Sequence, residues 1–452
     1  MSVRESLIDL GEVTPGRPYG AAVRSPRPPR AYRSVLAVLT VALLASLGGA
    51  AHVAPPAPPK IIPARLGDTT FVTGDRLFVV TGPGLPAGQV QHTTINTYAL
   101  PSGSLLGRTT VAVTGAIFDV TEVSGVVLVS YQLDEDGAET TVAIAAGTDR
   151  AIWRRPARLL GISRSRGQAL LRDSSPEYGP VRWYSVDLAT GAERWSLRQP
   201  AAGEVTPADF GDPAPGTVGD GYPRRLVSVD LAGRMIVRDA FTGAILAART
   251  IPVPDDWSRR GIVLWPDGDL VLVGDHLSAI AYALSDLSER WRAPVDLYSS
   301  YVGGDCARVV CLFNPRGGGV RILDRATGRQ LWTSQRLSYA AEVGTYLIAA
   351  SGTGASPNVT LDVIDVATGR LRGTFGPWQA LGVELPGGEL LGMRSQPVTD
   401  AVWYARLDPA TLASRILGEA DDVSGDCQTT TQVLICRRLD ASVGIWRLTG
   451  GG

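Results

Sequence analysis

Asp324-Arg-Ala-Thr-Gly328 is followed four residues later by Trp332, and the same phrase returns along the chain. Asp187-Leu-Ala-Thr-Gly191 leads to Trp195, and Asp239-Ala-Phe-Thr-Gly243 and Asp365-Val-Ala-Thr-Gly369 repeat the turn without the tryptophan. Looser copies lie between them: Pro101-Ser-Gly103, Asp149 with Trp153, Ser285-Asp-Leu287 with Trp291, and Asp408-Pro-Ala-Thr411. The starts at 324, 365 and 408 are 41 and 43 residues apart. A period in the forties means one supersecondary unit copied many times.

The residues around the phrase say what the unit is. An alternating apolar stretch precedes each aspartate, such as Val181-Arg-Trp-Tyr-Ser-Val186, and a short strand follows each glycine, such as Glu193-Arg-Trp-Ser-Leu197. Asp and Thr hydrogen-bond the turn backbone while Gly takes positive φ, so the phrase is hairpin chemistry. Upstream lie a second apolar run, as in Leu270-Val-Leu-Val273, and a looser strand ending in Asp-Gly, as in Ile262 to Gly268. Four short strands per unit make a propeller blade, and the fold class is all-β. The tryptophans are expected to pack between neighbouring blades rather than to stack on a cofactor.

Asp-x-x-Thr-Gly-x-x-x-Trp resembles the repeat of quinoprotein-type propellers, the superfamily of pyrroloquinoline quinone (PQQ) dehydrogenases. An outer-membrane assembly lipoprotein of the same fold carries similar repeats. The resemblance covers roughly residues 61 to 449 and speaks for fold more than activity, because the phrase builds the blade. Eight copies of the turn are present, with a ninth, truncated unit from Asp422 to Leu448. Ile61 to Leu66 would supply its missing outer strand and join the chain ends in one blade, removing exposed edges. Related propellers usually have eight blades, so eight are expected, with nine the literal count.

Gly 52 and Pro 31 suit a turn-rich β domain, and a hydrophobic content of 44% supplies its core. A net charge of −1 gives no basic face for nucleic acid. Lys60 is the sole lysine, so 42 of the 43 basic residues are arginine, which points to a high-GC bacterium.

Residues 34–54 form an uncharged apolar run with Val35 to Leu44 at its heart, long enough to span a bilayer. Arg24, Arg27, Arg30 and Arg33 stand before it and no basic residue follows until Lys60. The charge bias places the N-terminus in the cytoplasm and the propeller outside, tethered to the cytoplasmic membrane. A cleaved signal peptide, with Gly48 to Ala51 at the cleavage site, is the alternative. Residues 1–33, rich in Pro and Arg, read as a disordered cytoplasmic tail in which Ser6 to Val13 could dock a cytosolic partner. Residues 55–60 read as a stiff Pro-rich linker.

The four cysteines fall as Cys306/Cys311 and Cys427/Cys436, each pair opening with Gly-Asp-Cys. Two local disulfides are expected, consistent with an oxidising compartment, with zinc as the alternative. Only His92 and His276 are available to such a site in the propeller, and both read as solvated turn residues. Asp134-Glu-Asp-Gly137 is the densest acidic cluster and reads as a hairpin turn.

The resemblance also frames the enzyme question. A quinone dehydrogenase holds an ortho-quinone over Ca²⁺ beside a carboxylate or histidine base, and its large alcohol-oxidising members add a vicinal cysteine pair. No vicinal pair occurs here, and no catalytic, cofactor or metal residue is assigned. The expectation is a non-enzymatic interaction, scaffold or sensing module that binds protein, peptide or glycan on the propeller face. A PQQ-dependent enzyme and an envelope-assembly factor are the alternatives.

Overall fold

The computed structural model describes residues 58–448 apart from 83–89, 133–137, 174–180, 201, 212–220, 254–256, 304–305, 315–317, 352–359, 386 and 397–398. The expected tail 1–33, the apolar segment 34–54, residues 55–57 of the linker and the Asp134 cluster therefore lie outside the described residues. No helix among the described residues is long and apolar enough to cross a membrane.

The hairpin chemistry of the repeat builds four-stranded antiparallel sheets. In the third blade the strands are Ala157–Ser163, Gln168–Asp173, Arg182–Asp187 and Glu193–Arg198, paired in chain order. The second and third strands are buried on both sides because a neighbouring blade covers each face. That is why they read as continuous apolar runs, as in the fully buried Leu270–Gly274 and Ala279–Ala283 of blade five. Outer strands such as Ile245–Thr250 are largely exposed.

Nine such sheets follow one another among the described residues, spanning 69–113, 116–155, 157–198, 204–250, 263–293, 301–334, 337–374, 379–420 and 423–447. The number is nine, the literal count of units; the eight usual among related propellers would require two units to share a blade, and none do. The ninth blade has the order expected for ring closure: Val423–Thr429, Val433–Arg438 and Val443–Arg447, with Lys60–Ile62 as its outer strand. Lys60 pairs with Ile445 and Ile62 with Val443. Lys60 thus belongs to the propeller rather than the linker, and the closing strand is shorter than residues 61–66 promised.

Because strands alternate in direction, the hairpins between first and second strands share one face of the ring with the Asp-x-x-Thr-Gly turns. Loops between second and third strands, and the blade-to-blade connections, share the opposite face. The chain enters the ring at Lys60 on the turn face.

Both disulfides are present, Cys306–Cys311 and Cys427–Cys436, and no free cysteine remains among the described residues. They lie where the backbone ladder is short or irregular. Blade six has an inner strand of two residues, Tyr301–Val302, so Cys306 in the following connection is tied directly to Cys311 of the second strand. In blade nine the pairing of inner and second strands slips twice, between Val423 and Gly425 and between Gly425 and Gln428, and Cys427 bridges to Cys436 across it. Replacing Cys306 and Cys311 together by alanine should lower stability by about 2 kcal/mol on the chain-entropy account. The loss should appear in thermal melts and as faster amide exchange confined to residues 301–313; unchanged exchange there would contradict the stapling role.

Candidate functional site

The repeated phrase first makes a turn and then a lock between blades. In blade three, the backbone N–H groups of Ala189 and Thr190 and the Thr190 hydroxyl all donate to Asp187 Oδ1 at 3.0 Å. Arg194 donates to the other carboxylate oxygen at 2.6 Å. These bonds, Arg194 foremost, hold the Asp187 carboxyl below the usual range. Asp239, Asp324 and Asp365 grip their own threonines, Thr242, Thr327 and Thr368, in the same way.

Each turn glycine then receives the tryptophan of the preceding blade. Gly191 lies against Trp153, Gly243 against Trp195, Gly328 against Trp291 and Gly369 against Trp332. Each indole Nε1 donates to the carbonyl one residue past the turn's first position: Trp153 to Leu188 at 3.0 Å, Trp195 to Ala240 at 3.1 Å, Trp291 to Arg325 at 2.8 Å and Trp332 to Val366 at 2.9 Å. The phrase is therefore a two-part joint, with the tryptophan and the turn it fills coming from different units.

Two joints are built in reverse. Blades four and seven carry Ala247 and Gly373 at the tryptophan position, and the facing turns of blades five and eight carry Leu287 and Leu412 at the glycine position. Both leucines take positive φ, 57° and 61°, and a Cβ placed at Gly373 would run into Leu412. The bulk has moved from one side of the joint to the other.

At the joint of blades five and six, Arg325 reaches back into the Asp267-Gly268-Asp269 hairpin, 3.0 Å from Asp267 Oδ2 and 3.2 Å from Asp269 Oδ1, and donates to the Asp267 carbonyl. Burial pushes the Asp267 carboxyl up to about 6 against the pull of Arg325. A raised carboxyl stabilises the fold fully below its unfolded value near 3.8 and loses that contribution as pH rises through 6. Relative to Asp267→Asn, the wild type should gain stability on going from pH 7 to pH 4, by at most about 3 kcal/mol. Paired thermal melts across that range check the sign; an opposite trend would show the ion pair outweighing burial.

The seam of the ring differs from the six joints described above. Outer strands elsewhere run from four residues, in Leu371–Thr374, to ten, in Ser104–Val113 of blade one, and the closing strand has three. It covers the Gly103 turn, where Ile62 Cδ1 stands in for the tryptophan, and leaves the rest of that flank of blade one partly open. The result is an open groove of about 850 Å³. One wall is blade one, with Thr94, Asn96 and Tyr98 on its third strand and Leu105 and Arg108 on its fourth; the other is the 63–68 connection, with Pro63, Ala64, Arg65, Leu66 and Asp68. Thr81 and Gly82 close the end at the loop face.

The groove is held in shape from beneath. Arg437 of blade nine donates to the carbonyls of Arg65, at 3.4 Å, and of Asp68. Asp68 Oδ2 accepts the Arg65 backbone N–H at 2.8 Å, so this carboxylate is engaged in its own turn. Arg108 Nε donates to Asn96 Oδ1 at 3.1 Å across the two strands. Burial raises the Tyr98 phenol, opposed by Arg108, which keeps it a hydrogen-bond donor.

Sequence reasoning placed Pro63 to Leu66 in the closing strand and singled out none of the groove residues as a binding site. They are ordinary strand and loop types, and only the mismatch between a three-residue and a ten-residue strand assembles them. His92 lies on the third strand of blade one and His276 in a turn of blade five; both are exposed. Among the described residues no group of three or more His, Cys, Asp or Glu side chains is arranged to hold a metal ion.

No family model matches the chain, and no curated protein matches its sequence. Solved structures similar to it include BamB from Moraxella catarrhalis, 13% identical with a TM-score of 0.38, covering 73% of this chain and 96% of that one. The computationally designed Ika8 protein is 13% identical with a TM-score of 0.41, covering 87% and 97%. A europium-containing methanol dehydrogenase is 12% identical with a TM-score of 0.39, covering 84% of each chain.

Proposed function

We propose that this protein is a non-enzymatic interaction module, tethered through residues 34–54 to the outer face of the cytoplasmic membrane, that binds a partner in its seam groove. The observation that carries this reading is the groove itself. One flank of blade one stays open at the seam, and its two walls together present a mixture of apolar side chains, hydroxyls, an amide and two arginines, one on each wall. Preorganised concave surface of this kind is what binding sites are made of. The Arg24 to Arg33 cluster before the apolar run supports the proposed orientation.

A photo-crosslinking residue at Leu66 or Leu105, in full-length protein in bacterial membranes, should capture a discrete partner. The same residue at the exposed Leu371 of blade seven should not. Equal capture from all three positions, or none from the groove, would remove the site. Purified protein given PQQ and Ca²⁺ should not reduce a dye in the presence of alcohols or sugars; sustained turnover would make it an enzyme instead.

A further inference from the structure

We propose that the groove takes an extended acidic peptide, its side chains alternating between carboxylates and apolar groups, an inference that rests on the interaction reading above.

Charge is the first argument. Arg65 and Arg108 are exposed on opposite walls of the groove, and neither has a carboxylate within ion-pair distance among the described residues. The acid on the same wall, Asp68, is buried and bonded to its own turn. Other exposed arginines of the ring include ones neutralised by acids, as Arg194 is by Asp187 and Arg308 by Glu342. Two unneutralised guanidinium groups facing one cleft select an anionic guest.

Shape is the second. The groove follows the third strand from the half-buried Thr94 and Asn96 to the buried Tyr98, five residues at about 3.4 Å each, which suits an extended segment of five or six residues. Apolar contact comes from Leu66 and Leu105, 94% and 54% exposed, next to Pro63. A glycan would call for an aromatic face, and the single aromatic here, Tyr98, is 9% exposed and packed into the seam. Leucines and arginines without an open ring therefore favour peptide over sugar.

The test uses full-length protein in detergent and a fluorescein-labelled Leu-Glu-Val-Asp-Leu-Glu peptide, followed by polarisation. The expected result is saturable binding that weakens as salt is raised and is abolished in the Leu-Gln-Val-Asn-Leu-Gln version. Arg65→Glu and Arg108→Glu should each weaken it about tenfold while leaving the melting temperature unchanged, since both side chains are exposed. Equal affinity for the amide peptide, or no effect of the two charge reversals, overturns the proposal. So does competition by polygalacturonate at lower concentration than by the unlabelled peptide, which would assign the groove to an anionic glycan. If the peptide fails to bind while Leu66 still crosslinks to a partner in membranes, the acidic-peptide assignment falls and the interaction reading stands. If both fail, the reading falls too.

Discussion

Gly191→Ala is expected to cost about 3–5 kcal/mol, far more than a methyl group usually does, because three penalties coincide. The residue sits at φ 69°, which an L side chain adopts at a cost of roughly 1–2 kcal/mol. Its new Cβ would fall 2.5 Å from the Trp153 ring, so the indole must move. Moving it breaks the Nε1 bond to the Leu188 carbonyl, and an orphaned buried pair costs about 1–3 kcal/mol more. Chemical denaturation of the single variant measures the sum; a loss below about 1 kcal/mol would mean the joint is loose and the account wrong.

The stronger test imitates what the ring already contains. Combining Gly191→Leu with Trp153→Gly would reproduce, between blades two and three, the Gly373 and Leu412 joint of blades seven and eight. Each change alone should be severe, one by overlap and one by leaving a cavity. Together they should cost less than their sum by at least about 2 kcal/mol, the signature of residues that share one space. Additive losses would show that the leucine joints depend on features of their own blades.

This exchange marks where local sequence stops being informative. The Asp-x-x-Thr-Gly phrase is legible because its work is local. Asp187 needs only Ala189 and Thr190 to close its turn, so the repeat, the blade and the all-β class can be read from a few residues. The tryptophans could be assigned to blade contacts because they recur at fixed spacing. Leu287 and Leu412 could not be assigned: a leucine at positive φ has no reason within its own turn. The reason is Ala247 or Gly373, some 40 residues earlier in the adjoining blade. The ninth blade was visible as a truncated unit, and habit rather than the residues argued for eight. The groove was invisible for a different cause. It is made by the length of the closing strand, and no residue in it carries a mark of its own.

Ile62→Asp should open the ring at this one place. Ile62 is 3% exposed, packed with Leu77, Val79, Tyr98 and Ile445, and it fills the space in front of Gly103 that a tryptophan fills at four other joints. A carboxylate there is both too small for the space and unpaired in apolar surroundings, which should cost about 3 kcal/mol or more. The closing strand is held by three residue pairs, so that loss exceeds what the ladder can absorb. The Cys427–Cys436 bridge does not help, because it ties the first two strands of blade nine to each other and leaves the outer strand held by backbone pairing and packing alone. Blades contact chiefly their neighbours, so the damage should remain near the break. Hydrogen exchange is expected to accelerate in Val443–Arg447 and in Arg76–Thr81 while Gln168–Asp173 and Leu270–Gly274 keep their protection. Pro63 to Asp68 follow directly on the closing strand and would be left on the Arg437 bonds to Arg65 and Asp68, so the groove's second wall should loosen and its peptide affinity fall in the same variant. Uniform loss of protection around the ring would mean that nine blades melt as one unit, and that the seam is no weaker than any other joint.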